Sequence, residues 1–127
     1  MNKILLLAII VLVGLACASK SQNANGKGFS NVDVAGAKKM ISENKDLVII
    51  DVRTPGEIAD GKIDSALEID YRGSDFKDKI NKLDKSKKYL IYCRSGGRSS
   101  SASDIMISSG FNDVTNMKGG FSAWSKN

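Results

Sequence analysis

The stretch "YLIYCRSGGRSSSAS", from Tyr89 to Ser103, contains the transition that decides the fold. Apolar and aromatic residues that favour a strand lead directly to Cys93. A loop rich in arginine and glycine follows, and apolar residues then recur at helical spacing up to Gly110, a residue typical of a helix end. The predicted helical face consists of Ala102, Ile105, Met106 and Ser109. The sequence therefore predicts a strand, a tight loop and a helix in immediate succession.

The same alternation continues on both sides of this stretch. "LVIIDV" (Leu47–Val52) and "KYLIYC" (Lys88–Cys93) are apolar runs of the kind found in strands buried on both faces. Short strands are predicted around Ala66–Ile69 and in "DVTNM" (113–117). Helical spacing predicts helices in "NVDVAGAKKMISEN" (Val34, Ala37, Met40, Ile41), in "DFKDKINKL" (Phe76, Ile80, Leu83) and in "GGFSAWSKN" after a turn. This order predicts an α/β fold, an open sheet of mostly parallel strands with helices on both faces.

The segment "TPGE" predicts a further helix directly after the strand 47–52. Thr54 is the predicted N-cap, Pro55 the first helical residue and Glu57 the third, which together form a capping box. Asp51 and Arg53 lie just before it, at the end of a strand that neighbours the one ending at the cysteine. They are therefore expected to be scaffold.

Length and composition indicate one globular domain. The chain has 127 residues, of which 42% are hydrophobic and 26% charged. The formal net charge is +5, but lysines alternate with acidic residues, as in "DFKDKINKLDKSKK", so we expect a solvated surface and no nucleic acid partner. The absence of histidine excludes Ser-His-Asp and Cys-His catalysis and most zinc sites. We expect neither a metal nor a cofactor.

The N-terminal residues are predicted to lie outside the folded domain. Lys3 precedes the apolar run Ile4–Ala16, which fits the core of a signal peptide and is short for a membrane span of about 20 residues. "GLAC" resembles a bacterial lipobox, although Gly14 stands where leucine is usual. We predict a signal peptide (1–16), a lipidated Cys17 with a flexible linker (17–28) and a domain from 29 to 127.

This arrangement predicts an exported protein of the cell envelope or periplasm, attached to a bacterial membrane through its lipid only. Ordinary secretion after cleavage and an uncleaved anchor are the alternatives. If Cys17 carries lipid, Cys93 is the only free thiol of the mature chain, and an internal disulfide is excluded.

A single free cysteine has two interpretations. The count alone favours a small buried hydrophobic residue at a strand end. The position favours a nucleophile, because ligands of open parallel sheets bind at the carboxyl ends of the strands. Gly96 and Gly97 allow the loop to direct N–H groups at one point, and the next helix aims its N-terminus there. Arg94 and Arg98 add positive charge, so each feature favours the reactive thiolate.

Three segments resemble one known family. "CRSGGRS" is similar to the active-site loop of rhodanese-like sulfurtransferases, in which Gly, Arg and Ser follow the cysteine at the places of Gly96, Arg98 and Ser99. "DVRTPGE" (Asp51–Glu57) resembles the Asp-Val-Arg segment of that family, and "MKGGFSAW" (Met117–Trp124) resembles its closing Gly-Gly…Ala-Trp motif. The motifs match in order and spacing over roughly residues 29–126.

One segment departs from the family pattern. The family usually has Gly-His-Ile-Pro-Gly-Ala where this chain has "GKIDSA", so Lys62, Asp64 and Ser65 replace His, Pro and Gly. Because this region is expected to be a packing turn, the departure bears on turn geometry more than on chemistry.

The resemblance implies that a persulfide on Cys93 carries sulfane sulfur from a donor such as thiosulfate to cyanide, a thiol or another protein. A persulfide carrier, a redox sensor or a protein-binding module is the alternative. The implied active-site loop consists of Arg94, Ser95, Gly96, Gly97, Arg98 and Ser99, and the implied support residues are Asp51, Arg53 and Glu57. A monomer is expected.

The sequence also predicts the contacts or the burial of several side chains in these motifs. Arg98 is expected either to pair with Glu57 or Asp51 in support of the loop, or to contact the substrate directly. Trp124 is expected in the core. Ser99 is expected to help start the helix, and the helix surface is expected to carry Ser100, Ser101 and Ser103.

The spacing of the loop also bears on a rival reaction. Phosphatases of a related fold place five residues between cysteine and arginine, whereas four residues separate Cys93 from Arg98. The tighter ring suits a single sulfur atom better than a tetrahedral oxyanion. Phosphatase or arsenate reductase activity is therefore the weaker hypothesis.

Overall fold

A computed structural model of the chain describes residues 28–127. The predicted signal peptide, Cys17 and the linker as far as residue 27 lie outside the described residues. None of the helices within residues 28–127 combines the length and the apolar character that a membrane span requires.

Five strands alternate with five helices along the chain. In order, they are β1 (Ser30–Val32), α1 (Val34–Glu43), β2 (Val48–Asp51), α2 (Pro55–Ile58), β3 (Leu67–Glu68), α3 (Phe76–Asn81), β4 (Lys88–Tyr92), α4 (Gly97–Ser108), β5 (Asp113–Met117) and α5 (Gly120–Trp124). The strands form one sheet in the order β1-β5-β4-β2-β3, and all of its pairs are parallel.

The sheet separates two apolar clusters because successive side chains of a strand point to opposite faces. Ile91 and Cys93 belong to one cluster together with residues of α3 and α4. Leu90 and Tyr92 belong to the other, which also contains residues of α1 and α5. The prediction of helices on both faces of a parallel sheet is confirmed.

Strand β4 lies at the centre of the sheet and sets the position of the loop that follows it. Asp51, at the end of β2, is paired in register with Tyr92, at the end of β4. The pairing continues one step further, since the Val52 N–H donates to the Tyr92 carbonyl over 3.0 Å. The segments after β2 and β4 therefore leave the same edge of the sheet side by side.

Strand β1 differs from the sequence-based prediction. The pattern from Asn31 onward predicts a helix, but residues 30–32 pair with β5. Helix α1 begins only after Asp33, whose carboxylate accepts from the Gly36 N–H over 2.9 Å. Three residues are too few to show the period of a strand, so only the partner strand defines β1. The other predicted strands are present, with β2, β3 and β4 one or two residues shorter than expected.

Helix α4 begins earlier than predicted, at Gly97 instead of among the serines. The predicted surface position of Ser103 is wrong, because this residue is completely buried and its hydroxyl donates to the Ser99 carbonyl over 2.7 Å. A small polar side chain that satisfies its own hydrogen bond along the helix can face the sheet, and hydrophobic spacing does not reveal it.

The turn that departs from the family pattern is closed by side chains of this chain. The Lys62 ammonium donates to the Ala66 carbonyl over 2.9 Å and pairs with Glu68 over 2.8 Å. The Ile63 N–H donates to the Tyr92 hydroxyl over 2.9 Å. Ser65 has a φ of +71°, in the left-handed region that favours glycine, and it stands where the family usually has glycine.

We predict that Ser65→Gly raises the free energy of unfolding by about 0.5–1 kcal/mol, because relief of the left-handed strain exceeds the added entropy of the unfolded chain. Chemical denaturation of residues 28–127 measures the change. Ser74→Gly is the matched control, since Ser65 is the only non-glycine residue with positive φ in the described part of the chain. An equal change in both variants would contradict the strain argument.

Candidate active site

Cys93 lies directly after β4, at the carboxyl edge of the sheet. Its side chain points to the α4 face and is completely buried. The chain reverses immediately beyond it, because Gly96 adopts a φ of +117° and α4 starts at the next residue. The predicted strand, tight loop and helix are thus present.

The loop surrounds the sulfur of Cys93 with hydrogen-bond donors. The Gly96 N–H donates to Sγ over 3.1 Å, and the Ser99 hydroxyl lies 3.3 Å from the same atom. The Ser99 hydroxyl is also 3.2 Å from the Gly96 carbonyl, so its one proton has two acceptors within reach. The predicted role of Ser99 in starting the helix is wrong. Gly96 is the N-cap residue, and the Ser99 side chain turns inward to the sulfur.

These donors lower the pKa of the Cys93 thiol. Burial raises the pKa of the Cys93 thiol, but hydrogen bonds from the Ser99 hydroxyl and from the N–H groups of Ser99, Gly96 and Ser95 outweigh it, so the pKa is lower than that of an ordinary cysteine. Donors that face an anion inside a protein stabilise the charged form. The loop donors therefore stabilise the thiolate against the effect of burial.

An ion pair joins the loop to α2. Two nitrogens of Arg98 donate to the two carboxylate oxygens of Glu57, each over 2.8 Å. The hydrogen bond from Arg98 lowers the pKa of Glu57 to about 2, against the effect of burial, and Thr54 contributes through the capping box. Of the two partners predicted for Arg98, the structure selects Glu57. The Glu57 carboxylate, which completes the capping box of α2, thus also binds the arginine of the loop.

A second, buried ion pair lies beneath the loop. The guanidinium of Arg53 donates to Asp51 over 2.7 Å and to the Gly61 carbonyl over 2.7 Å, and both charged residues are buried. The Arg53 guanidinium also lies 4.3 Å from the ring centre of Phe121 in α5. Asp51 and Arg53 therefore connect the end of β2 with α5, and their role as supports of the loop stays a prediction.

The Gly-Gly pair at the start of α5 has a role that its motif alone does not reveal. The N–H groups of Phe121 and Ser122 donate to the carbonyls of Cys93 and Arg94, over 2.8 and 3.0 Å. A Cβ atom on Gly120 would lie 2.6 Å from the Cys93 carbonyl oxygen, closer than packing allows. The two adjacent glycines are the signal of this close approach. The start of α5 therefore fixes the loop from outside.

The other predicted residues of the loop are open to solvent. Arg94, Ser95 and Gly97 are exposed, and the Arg94 side chain makes no hydrogen bond or ion pair to another residue of the described part. Trp124 is half-buried and packs against the second apolar cluster, so its predicted core position is met only in part.

The position of this cysteine loop, between a central parallel strand and a helix, can be compared with known proteins. The Rhodanese-like domain family matches residues 33–127. The chain belongs to the rhodanese-like domain family. It is 31% identical over 97 residues to a sulfurtransferase of Allochromatium vinosum (76% of this chain, 89% of that protein). It is 35% identical over 88 residues to thiosulfate sulfurtransferase 16 of Arabidopsis thaliana (61% and 73%).

A solved structure agrees with this assignment. The rhodanese-like domain protein of Staphylococcus aureus superposes with a TM-score of 0.68 at 31% identity, covering 76% of this chain and 91% of that protein. The resemblance of the three sequence motifs to rhodanese-like proteins is confirmed, and this rhodanese-like domain has relatives that are sulfurtransferases.

We predict that Ser99→Ala lowers the thiolate fraction of Cys93 at neutral pH about tenfold, because the burial that opposes charge remains while one donor to the anion is lost. The pH dependence of thiolate absorbance and of alkylation by a small reagent measures this change. We expect the wild-type thiol to titrate at a lower pH than an ordinary cysteine and the variant to titrate at a higher pH than the wild type.

Two variants test the assignment to the hydroxyl. Ser99→Thr retains the donor and should keep the wild-type profile, and Ser101→Ala removes an exposed hydroxyl of the same helix. If Ser99→Ala titrates like wild type, the hydroxyl does not stabilise the thiolate.

Proposed function

We propose that this rhodanese-like domain transfers sulfane sulfur through a persulfide on Cys93, with thiosulfate as a competent donor. The observation that carries the proposal is the set of N–H and O–H donors around one buried sulfur atom, 3.1 Å from Gly96 N and 3.3 Å from Ser99 Oγ. The sulfurtransferase names of the relatives support the same class of reaction.

The first step is a nucleophilic displacement at sulfur. The Cys93 thiolate attacks the outer sulfur of thiosulfate, an S–S bond forms to Sγ, and the bond to the oxygen-bearing sulfur breaks. Sulfite leaves with the electron pair of that bond. The negative charge then lies on the outer persulfide sulfur, where the N–H groups of the loop and the N-terminus of α4 stabilise it.

The two arginines of the loop have different roles in this proposal. Arg98 already directs two nitrogens at Glu57, so it maintains the shape of the loop. Arg94 is exposed and has no partner among the described residues, so its charge is available to orient the anionic end of thiosulfate.

The dimensions of the loop favour sulfur over phosphate. Gly96 N is the third backbone nitrogen after Cys93, and it already lies within hydrogen-bond distance of Sγ. The space at the centre of the ring is therefore occupied by the sulfur itself. A phosphoryl group with three equatorial oxygens needs a wider ring of donors.

A second candidate function is a persulfide carrier or redox-sensing module that accepts sulfur without rapid turnover. The observation that favours it is the burial of Cys93, which has no exposed surface. A buried nucleophile admits only small donors and slows release to a bulky acceptor. Both candidates require the persulfide, whereas a pure protein-binding module does not.

We predict that residues 28–127, incubated with thiosulfate, gain the mass of one sulfur atom and release one equivalent of sulfite. Intact-mass spectrometry and a sulfite assay measure the two products. Cys93→Ser should abolish both, because the hydroxyl of serine is far less nucleophilic than a thiolate.

The same samples separate the candidates. Repeated discharge by cyanide at a steady rate indicates an enzyme, and a single stoichiometric discharge indicates a carrier. A protein that shows no mass gain but hydrolyses an aryl phosphate would overturn the sulfur-transfer proposal in favour of the phosphatase hypothesis.

We also propose that the chain is exported and held at a bacterial membrane by a lipid on Cys17. The apolar run Ile4–Ala16 and the "GLAC" segment support this proposal, and the region matched by the family begins only at residue 33. The full-length protein should sediment with bacterial membranes, and Cys17→Ala should not be lipidated. Cys93→Ser is the control that retains membrane attachment. Unchanged mass and fractionation of the Cys17 variant would refute lipidation.

A further inference from the structure

A cavity of about 230 Å³ lies beside the Cys93 loop, between α2 and α5. Arg94 from the loop and Glu57 from α2 form part of its wall, and Ser122 lies at the start of α5. Glu57 is the same carboxylate that holds Arg98. A molecule seated here would therefore contact both the residue after Cys93 and the residue that braces the loop.

The charged groups of the cavity divide into two pairs. Arg53 and Glu57 are already compensated, by Asp51 and Arg98 respectively. The other two, Asp60 and Arg94, are exposed and make no ion pair or side-chain hydrogen bond to any residue within 28–127. One cavity thus presents one available carboxylate and one available guanidinium.

We propose that this cavity binds the zwitterionic head group of a small amino-acid thiol and is the acceptor site of the domain. The ammonium of the ligand pairs with Asp60, and its carboxylate pairs with Arg94, an arrangement that arginine favours geometrically. The Ser122 hydroxyl, which makes no hydrogen bond to another residue within 28–127, supplies a further polar contact. This inference rests on the proposed sulfur transfer, since it names the chemical class that receives the sulfur.

The opposite charges of Asp60 and Arg94 favour a zwitterionic acceptor over an anionic donor. Thiosulfate carries only negative charge, so Asp60 does not favour its binding, whereas Arg94 serves both molecules in turn. An α-amino acid thiol such as cysteine satisfies both side chains at once. Its size also suits a cavity of about 230 Å³.

The transfer step balances without an oxidant or a reductant. The acceptor sulfur attacks the outer sulfur of the Cys93 persulfide, and a new S–S bond forms. The bond between that outer sulfur and Sγ breaks, and its electron pair remains on Cys93 as thiolate. The proton of the acceptor thiol leaves with the product, which is the persulfide of the amino acid.

The test uses three acceptors that differ only in their head groups. Residues 28–127 are loaded with thiosulfate, freed of donor and discharged by cysteine, by 3-mercaptopropionate, which lacks the ammonium, or by cysteamine, which lacks the carboxylate. Intact mass follows the loss of sulfur. Each acceptor is compared between variants, so differences in intrinsic thiol reactivity cancel.

We expect Asp60→Asn to slow the discharge by cysteine about two- to fivefold at subsaturating concentration, the effect of one exposed ion pair. The change should lie in KM, and it should not slow discharge by 3-mercaptopropionate. Asp64→Asn is the matched control, since it removes an exposed carboxylate that does not line the cavity.

Each outcome has one meaning. If Asp60→Asn slows both acceptors equally or slows neither, the acceptor site is overturned. If the protein does not load with thiosulfate, the proposed function fails first, and binding of S-methylcysteine, which cannot react, then decides the cavity by itself. Amide shifts of Arg94 and Ser122 that appear on titration and weaken in Asp60→Asn support it, and their absence overturns it.

Discussion

The constraint on which this structure depends is the stabilisation of an anionic sulfur inside an apolar cluster. Cys93 belongs to the same buried cluster as Ile91 and Met106, where an unpaired charge is strongly disfavoured. Hydrogen-bond donors of the loop compensate for the burial of the sulfur. Gly96 turns its N–H toward the sulfur, and Ser99 places a hydroxyl beside it. The left-handed Gly96 and the inward-facing serine together supply these donors.

The loop keeps this shape because it is held on two sides. The N–H groups at the start of α5 occupy the carbonyls of Cys93 and Arg94, which leaves the loop N–H groups free to face the sulfur. On the other side, Glu57 binds Arg98 with both oxygens. Beneath these contacts lies the buried pair of Asp51 and Arg53. Loss of one member of such a pair costs about 3–5 kcal/mol, because the remaining charge stays buried without a partner.

The same restraints divide the functional tasks among the charged residues. The arginine and the carboxylate that shape the loop are paired with each other, so neither is free for a ligand. The side chains that remain available, Arg94 and Asp60, stand at the cavity between α2 and α5. In the functions that we propose, sulfur chemistry and recognition of the sulfur acceptor would lie on neighbouring but separate groups. Under that proposal, the persulfide would form on a loop held from two sides, and exposed side chains would bind the acceptor.

The sequence by itself determined the fold class, the capping box at Thr54 and the position of Cys93 at the end of a buried strand. Those features are local, since they depend on the period of apolar residues and on turn and cap residues within a few positions. Comparison of motifs along the chain was enough to indicate the rhodanese-like family. For Arg98, the sequence and the family resemblance left two possibilities, a supporting ion pair with Glu57 or Asp51 and direct contact with the substrate.

Only the tertiary structure decided which contacts those residues make. Strand β1 exists because β5 pairs with it, and Ser99 and Ser103 are inward-facing because α4 packs against the sheet. Asp51 was unavailable to Arg98 because Arg53 already occupies it. The hydrogen bonds from the start of α5 to the loop link segments that are distant in the chain. The cavity lined by Asp60 and Arg94 likewise lies between distant segments. Hydrophobic period and local motifs report which face is buried, but not which distant group meets it there.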